Sequence, residues 1–261
     1  MAETVLITGC SQGGIGDALA REFHARGLIV FAAARDLTKT SSLKEIGIHT
    51  LEMDVTDTAS IKQATETVRQ ATGDHGLDIL INNAGVTRIL PFADCPVEDM
   101  RCIVNTNVLG SFAVTQAFLS MLIQAKGTVA NIGSVNEVFA PAFNAVYNAS
   151  KAALTAFSRT LRAELAPFGV RVVAIRTGGI KTNMTRAEGD RLPGDSLYQP
   201  VRETIERRTW IRYDSFPTPE QYAKRVAHDL LGRPGPILWR GGMSTAARLA
   251  DIFVSPVLLV S

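Results

Sequence analysis

Apolar and polar positions fall into alternating blocks, with short β-branched runs followed by longer stretches of helical spacing. Thr4-Val5-Leu6-Ile7-Thr8 has the pattern of a buried strand and stops at Gly9, and residues 17–23 carry the apolar spacing of a helix. After Gly27 the pattern repeats, with strands expected over 28–34, 48–53, 77–81, 127–132 and 169–175. The helices between them are expected over 58–72, 97–126 and 146–168. In the last of these, Ala152, Leu154, Ala156, Phe157, Leu161 and Leu165 form an apolar stripe expected to face the core. Strand–helix alternation with a period of about 25–30 residues predicts a parallel sheet with right-handed crossovers. The reading is therefore an α/β, doubly wound fold forming one domain over 1–261, with no repeat or linker.

The alternation breaks after Arg176. Residues 183–219 are polar and punctuated by Pro193, Pro200, Pro217 and Pro219. A segment of that length without simple periodicity is usually functional, so it is expected to be a lid with short helices covering a substrate. A helix over 219–231 and a strand over 236–239 then close the sheet. The tail, 243–261, ends in an apolar run at 252–260 interrupted by Pro256. Packing on the domain is expected of it, with a subunit interface or peripheral contact with a membrane surface as alternatives.

Composition narrows the function classes. Hydrophobic residues make up 46% and charged residues 20%, and the net charge is +2, which fits a globular protein and gives no basic surface for nucleic acid. Cys10, Cys95 and Cys102 are odd in number and lack metal-ligand spacing. Reduced thiols in a cytoplasmic compartment are expected, with no metal site. The start of the chain lacks the basic and apolar regions of a signal peptide. No run of about 18 apolar residues is seen, so no transmembrane helix is expected.

Two stretches carry chemistry. The first runs from Gly9-Cys10-Ser11-Gln12 through Gly13-Gly14-Ile15-Gly16, between a buried strand and a helix. A glycine-rich turn there presents backbone N–H groups and a helix N-terminus to a pyrophosphate. Arg35 follows the second strand, where an arginine suits a ribose 2′-phosphate and an acid would bind the 2′-hydroxyl. Asp36 comes next, but the earlier position favours NADP(H). The second stretch holds Tyr147 and Lys151, four apart and so on one helical face, with Ser134 upstream at the carboxyl end of a strand, the edge where ligands bind. An ammonium near a phenol is expected to lower its pKa and make a general acid/base.

Thr8-Gly9, Gly14-Ile15-Gly16, Asn82-Asn83-Ala84-Gly85, Asn107, Ser134, Tyr147 and Lys151, in this order, resemble the short-chain dehydrogenase/reductase family over about residues 3–240. Within it, Ile175 to Thr182 and Tyr147-Asn148-Ala149-Ser150-Lys151 look like the branch of fungal 1-acyldihydroxyacetone-phosphate reductases and 17β-hydroxysteroid dehydrogenases. The resemblance implies a Rossmann-type domain with a seven-stranded, mostly parallel sheet, a nicotinamide cofactor, and a homodimer or homotetramer. It implies catalytic roles for Asn107, Ser134, Tyr147 and Lys151. It places Gly9, Ser11, Gly14 and Ile15 in the phosphate loop, with Arg35 beyond them. Asp54 and Val55 border the adenine, and Asn83, Ala84 and Gly85 the ribose. Gly179, Ile180 and Thr182 complete the cofactor set, Thr182 at the carboxamide, with Tyr147 and Lys151 on the nicotinamide side. Two departures stand out. The loop has four residues between Thr8-Gly9 and Gly14-Ile15-Gly16 where the family usually has three, and Thr177-Gly178 replaces the usual Pro-Gly.

The expected activity is reduction of a ketone or aldehyde on a small to medium apolar metabolite, or oxidation of the matching alcohol. A non-redox isomerisation or cyclisation on the same scaffold and a non-catalytic NADP(H) sensor are the alternatives. Phe139, Phe143, Trp210 and Phe216 are candidates for an apolar pocket. Arg186, Arg191, Arg207 and Arg208 are candidates for an anionic group.

Overall fold

The computed structural model describes residues 2–182, 184, 190–209 and 211–253. Seven strands form one sheet: β1 (Thr4–Thr8), β2 (Ile29–Ala34), β3 (His49–Glu52), β4 (Ile79–Asn82), β5 (Thr128–Ile132), β6 (Arg171–Thr177) and β7 (Ile237–Arg240). Their order is β3-β2-β1-β4-β5-β6-β7 and every pairing is parallel. The chain order reverses between β1 and β4, and the crevice at such a switch point is where open α/β sheets bind ligands.

Alternate residues of each central strand supply two separate cores. On one face Val5, Ile7, Ile81, Ala130 and Ile175 pack under α1 (Ile15–Ala25), the single turn α2 (Ser41–Lys44) and, later in the chain, the helix Pro219–Leu231. On the other, Leu6, Leu80, Val129 and Val172 pack under α3 (Thr58–Thr72), α5 (Ser111–Ala125), which follows α4 (Val97–Val104) in the chain, and α7 (Ala145–Leu165). Burial on both faces is why the strands read as continuous apolar runs.

Helices α4 and α5 are joined by a π-helical turn, Asn105–Gly110, so the expected 97–126 helix is continuous but locally underwound. Among the described residues, Val97–Ala125 has the length and mean hydropathy (1.5) of a membrane span, which the sequence reading did not foresee. Its Val114, Phe118, Met121 and Leu122 are buried against the sheet, so its apolarity is that of a core helix.

α7 buries Leu154, Leu161 and Leu165 and packs Phe157 on the core as expected, but not the two alanines of the stripe. Ala152 and Ala156 are exposed, and the buried side is Ser150, Lys151, Leu154, Thr155, Ser158, Leu161 and Leu165. The polar members are held by hydrogen bonds: Asn131 Nδ2 donates to Ser158 Oγ (2.8 Å) and Ser158 Oγ to the Leu154 carbonyl (2.7 Å). A short helix α6 (Asn136–Phe139) precedes α7.

In the polar segment the described residues form α8 (Arg202–Arg207) and two 3-10 turns, Gln199–Val201 and Tyr213–Ser215, the short helices expected there. α9 (Pro219–Leu231) starts with a complete capping box between Thr218 and Gln221 and has Pro in its first turn. The tail begins as an amphipathic helix, α10 (Ser244–Phe253), which the sequence reading missed. Ala247 and Ala250 are buried while Ile252 and Phe253 are exposed. The rest of the apolar run, 254–261, lies outside the described residues.

Candidate active site

A cleft of about 1160 Å³ runs along the carboxyl ends of the strands. At one end it is lined by Gly9, Ser11, Gly14, Ile15, Arg35, Asp54 and Val55. In the middle it meets Asn83, Ala84, Gly85, Ser134, Tyr147 and Lys151, and at the far side Gly179, Ile180 and Thr182. Every residue expected to bind cofactor borders it. Asn107 does not, being wholly buried behind Gly85.

The glycine loop absorbs its extra residue through Gly13, which adopts φ +75. Its N–H donates to Asp17 Oδ2 (3.0 Å), and Asp17 also accepts from Arg21 Nε (3.0 Å). Two glycines are required by close approach. A Cβ on Gly9 would stand 2.8 Å from Ala84 Cα, and one on Gly16 2.5 Å from the Gly9 carbonyl. Asn83 holds this junction together, since its Nδ2 donates to the carbonyls of Thr8 (2.7 Å) and Gly9 (3.1 Å). Thr8 Oγ1 accepts from the N–H groups of Asn83 and Ala84. The Asn83 amide is thus committed to the loop, and only its surface faces the cleft.

The pair Arg35–Asp36 resolves cleanly. Asp36 accepts from Thr38 N (3.0 Å) and Thr38 Oγ1 (2.6 Å), capping the turn Leu37–Thr40, and these bonds hold its carboxyl below the usual range. Arg35 has no carboxylate partner among the described residues and lines the cleft together with Lys39, a cation the sequence reading passed over. Asp54 likewise accepts from Thr56 N (2.8 Å) and Oγ1 (2.7 Å), fixing the corner that borders the cleft.

Ser134 and Tyr147 both line the centre of the cleft, and Ser134 Oγ accepts from Asn136 N (3.1 Å) at the start of α6. Lys151 is 4% exposed; its Nζ donates to the Ile132 carbonyl (2.8 Å) and lies 5.6 Å from the Tyr147 ring centroid. Burial pulls its pKa down to about 8, against the opposing charge of Glu137. The Tyr147 phenol is not lowered as expected. Burial pushes it up, and the neighbouring Ser134 hydroxyl offsets this only in part. The ammonium is bonded to the Ile132 carbonyl.

The π turn sets Asn107. Its Oδ1 accepts from Val86 N (2.8 Å), and its Nδ2 donates to the Val86 carbonyl (2.9 Å) and to Ser150 Oγ (3.0 Å). Gly85 separates it from Lys151: a Cβ there would lie 3.3 Å from Asn107 Oδ1 and 3.6 Å from Lys151 Nζ.

Glu137 was missed. It stands in α6, accepts from Thr155 Oγ1 (2.6 Å) and pairs with Arg176, which stacks on Trp239 (4.5 Å) and reaches Asp251 of α10 (2.6 Å). Burial pushes its carboxyl up despite these partners. One signal pointed to it: Glu137 is the sole charged residue between Ser134 and Tyr147.

At the lid side, the phenylalanines divide. Phe139 and Phe216 line the cleft with Met184, Ile211 and Tyr213, whereas Phe143 stacks edge-on against Tyr198 (5.8 Å). Trp210 lies outside the described residues. Of the four arginines, Arg186 also lies outside them, Arg191 is exposed, Arg207 is exposed and paired with Glu203, and Arg208 alone is buried and reaches the cleft.

A switch-point cleft with a glycine loop at a helix N-terminus, a cation after β2 and a Ser–Tyr–Lys cluster defines a dinucleotide-dependent oxidoreductase. The chain belongs to the short-chain dehydrogenase family, whose sequence model matches residues 3–192. It is 41% identical to the NADPH-dependent 1-acyldihydroxyacetone phosphate reductase of Schizosaccharomyces pombe, covering 98% of this chain and 92% of that one. It is 42% identical to a short-chain dehydrogenase of Talaromyces islandicus (97% and 91% covered). Among solved structures, a short-chain dehydrogenase from Streptomyces avermitilis superposes with a TM-score of 0.82 at 27% identity, over 97% of this chain and 92% of that one. The site fits NADP(H): the loop residues Gly9, Ser11, Gly14 and Ile15 line one end of the cleft, and Arg35 stands beside them with its neighbouring acid committed to Thr38.

Proposed function

We propose that the protein is an NADP(H)-dependent reductase of a ketone or aldehyde carbonyl on a small to medium, lipid-like or secondary-metabolite substrate, with oxidation of the matching alcohol as the reverse reaction. The observation that carries this is the convergence of Ser134, Tyr147 and buried Lys151 on the middle of the cleft. The bound cofactor supplies the hydride.

The chain supplies position and the proton. Tyr147 gives its proton to the carbonyl oxygen, and Ser134 donates a second hydrogen bond to the same atom. Both act as the oxygen gains charge, when such bonds matter most. Lys151, with a pKa of about 8, is a cation that exchanges its proton near neutral pH and so can restore that of Tyr147. Asn107, across Gly85 from Lys151, holds the water through which this proton is replaced. The loop 9–16 and the start of α1 hold the pyrophosphate, and Arg35 with Lys39 the 2′-phosphate.

The Schizosaccharomyces pombe relative is named for a lipid-like ketone phosphate, which supports the substrate class. The free Cys10, Cys95 and Cys102 support a cytoplasmic setting, and a homodimer or homotetramer belongs to the same proposal. Following NADPH absorbance over a panel of ketones and aldehydes tests the activity. Reduction that disappears in Tyr147→Phe is expected, whereas product formed with no change in cofactor redox state would replace this reading with the isomerase one.

A further inference from the structure

We infer that Arg208 is an anion-binding residue for the substrate, so that the carbonyl compound carries a phosphate or carboxylate held at the lid side of the cleft. This deepens the reductase reading and rests on it.

Arg208 is 5% exposed, yet its Nε and Nη1 have no hydrogen-bond partner among the described residues. A buried guanidinium normally meets its donors with carboxylates or carbonyls, because an unpaired buried donor loses the full value of its hydration. Here the nearest carboxylate is Asp190, 3.8 Å from Nη2. Asp190 is already committed, accepting from Ile89 N (2.9 Å) and facing Arg88 (3.5 Å). Arg208, part of the cleft wall, therefore keeps donor capacity on both edges of its guanidinium that no described protein group takes up, on a cation suited to a carboxylate or phosphate.

The backbone makes the same point independently. Arg208 caps α8 in the left-handed region, φ 51 and ψ 44, which a non-glycine residue rarely adopts and which collects at ligand-holding positions. That turn carries Arg208 inward while Arg207, one residue before, stays exposed on Glu203. The site is separate from the cofactor's phosphate ends. Asp190 ties Arg208 to Ile89, in the loop after β4, whereas Arg35 and Lys39 follow β2. The apolar neighbours Met184, Ile211 and Phe216 suit the carbon skeleton between the anion and the reacting carbonyl.

The test is calorimetric titration of the NADP⁺-loaded protein with dihydroxyacetone phosphate against dihydroxyacetone, and with levulinate against methyl levulinate. Each anion is expected to bind roughly 10–100-fold more tightly than its neutral partner, the worth of a charge-assisted pair. Arg208→Gln is expected to erase that difference, and Arg208→Lys to keep part of it, a charge without the fork. The preferred anion of the two identifies the group. Equal binding of anion and neutral compound by the wild type, no binding of either anion, or a preference that survives in Arg208→Gln overturns the inference. If Arg208→Gln does not fold, a preference undiminished in Arg208→Lys overturns it instead. Anion binding that depends on Arg208 without NADPH oxidation by any ketone would sink the reductase reading and leave this subsite standing. Reduction of ketones with no Arg208-dependent binding would do the opposite.

Discussion

Thr155, one helical turn beyond Lys151, donates from Oγ1 to Glu137 Oε2 at 2.6 Å. The buried carboxylate is thereby held near Lys151, and its charge opposes the fall in the lysine pKa. Glu137→Gln keeps the shape and removes the charge. The pKa of Lys151 should then fall further below its ordinary value, and the pH profile of kcat/KM should move toward acid. An unmoved profile would restrict Glu137 to holding Arg176.

Tyr147→Phe removes the proton donor with little change in packing. Turnover should fall by roughly 10²–10⁴-fold, the usual worth of a positioned general acid, with NADPH affinity retained. Fluorescence titration of the cofactor alongside steady-state rates separates the two. A variant that turns over at the wild-type rate would remove Tyr147 from the mechanism.

Arg35→Ser should weaken NADPH binding by roughly 10–100-fold, as for loss of a charge-assisted bond, and leave NADH nearly unchanged. Asp36 is tied to Thr38 and should contribute little to the choice. Comparing Kd for both cofactors checks this, and an unchanged ratio would transfer the role to Lys39.

Stability of the cofactor-free protein should depend on alkaline pH in two stages. Lys151 has a folded pKa of about 8 against an ordinary 10.5, so above pH 8 the unfolded chain binds more protons and stability rises. The buried Cys10 thiol and the Tyr147 and Tyr222 phenols are pushed up from 9.0 and 10.0, so ionisation of the unfolded chain reverses the slope above about pH 9. Lys151 can contribute at most about 3–4 kcal/mol to the rise, at about 1.4 kcal/mol per unit. Thermal melts from pH 7.5 upward should show a shallow maximum in the wild type. Lys151→Met should lose the rising limb, and a rise that persists in it would assign the effect elsewhere.

The strands, the phosphate loop and the Ser134–Tyr147–Lys151 cluster were legible because each depends on local pattern: β-branched runs, glycine between strand and helix, four-residue spacing. What escaped depends on partners distant in the chain. Glu137 meets Arg176 across 39 positions. Four lid arginines looked alike until a left-handed turn sent one of them inward. Asp36 and Arg35 were ambiguous as neighbours, and only the bonds to Thr38 took the acid out of the choice. Ala152 and Ala156 looked like core because they are apolar, while polar Thr155 and Ser158 took the buried face through hydrogen bonds.

At the root of the lid, Gly179 and Gly242 exchange backbone hydrogen bonds (3.1 and 3.0 Å), and a Cβ on Gly178 would come within 1.8 Å of the Gly242 carbonyl. A Cβ on Gly179 would meet the Phe216 ring at 2.3 Å. In a randomised library selected for activity, positions 178 and 179 should return almost nothing but glycine, whatever substrate is used for selection. Variants with new substrate range should instead accumulate at Met184, Arg208, Ile211 and Tyr213, whose side chains face the cleft from the lid. The enzyme's capacity to evolve is confined to one wall of its cleft.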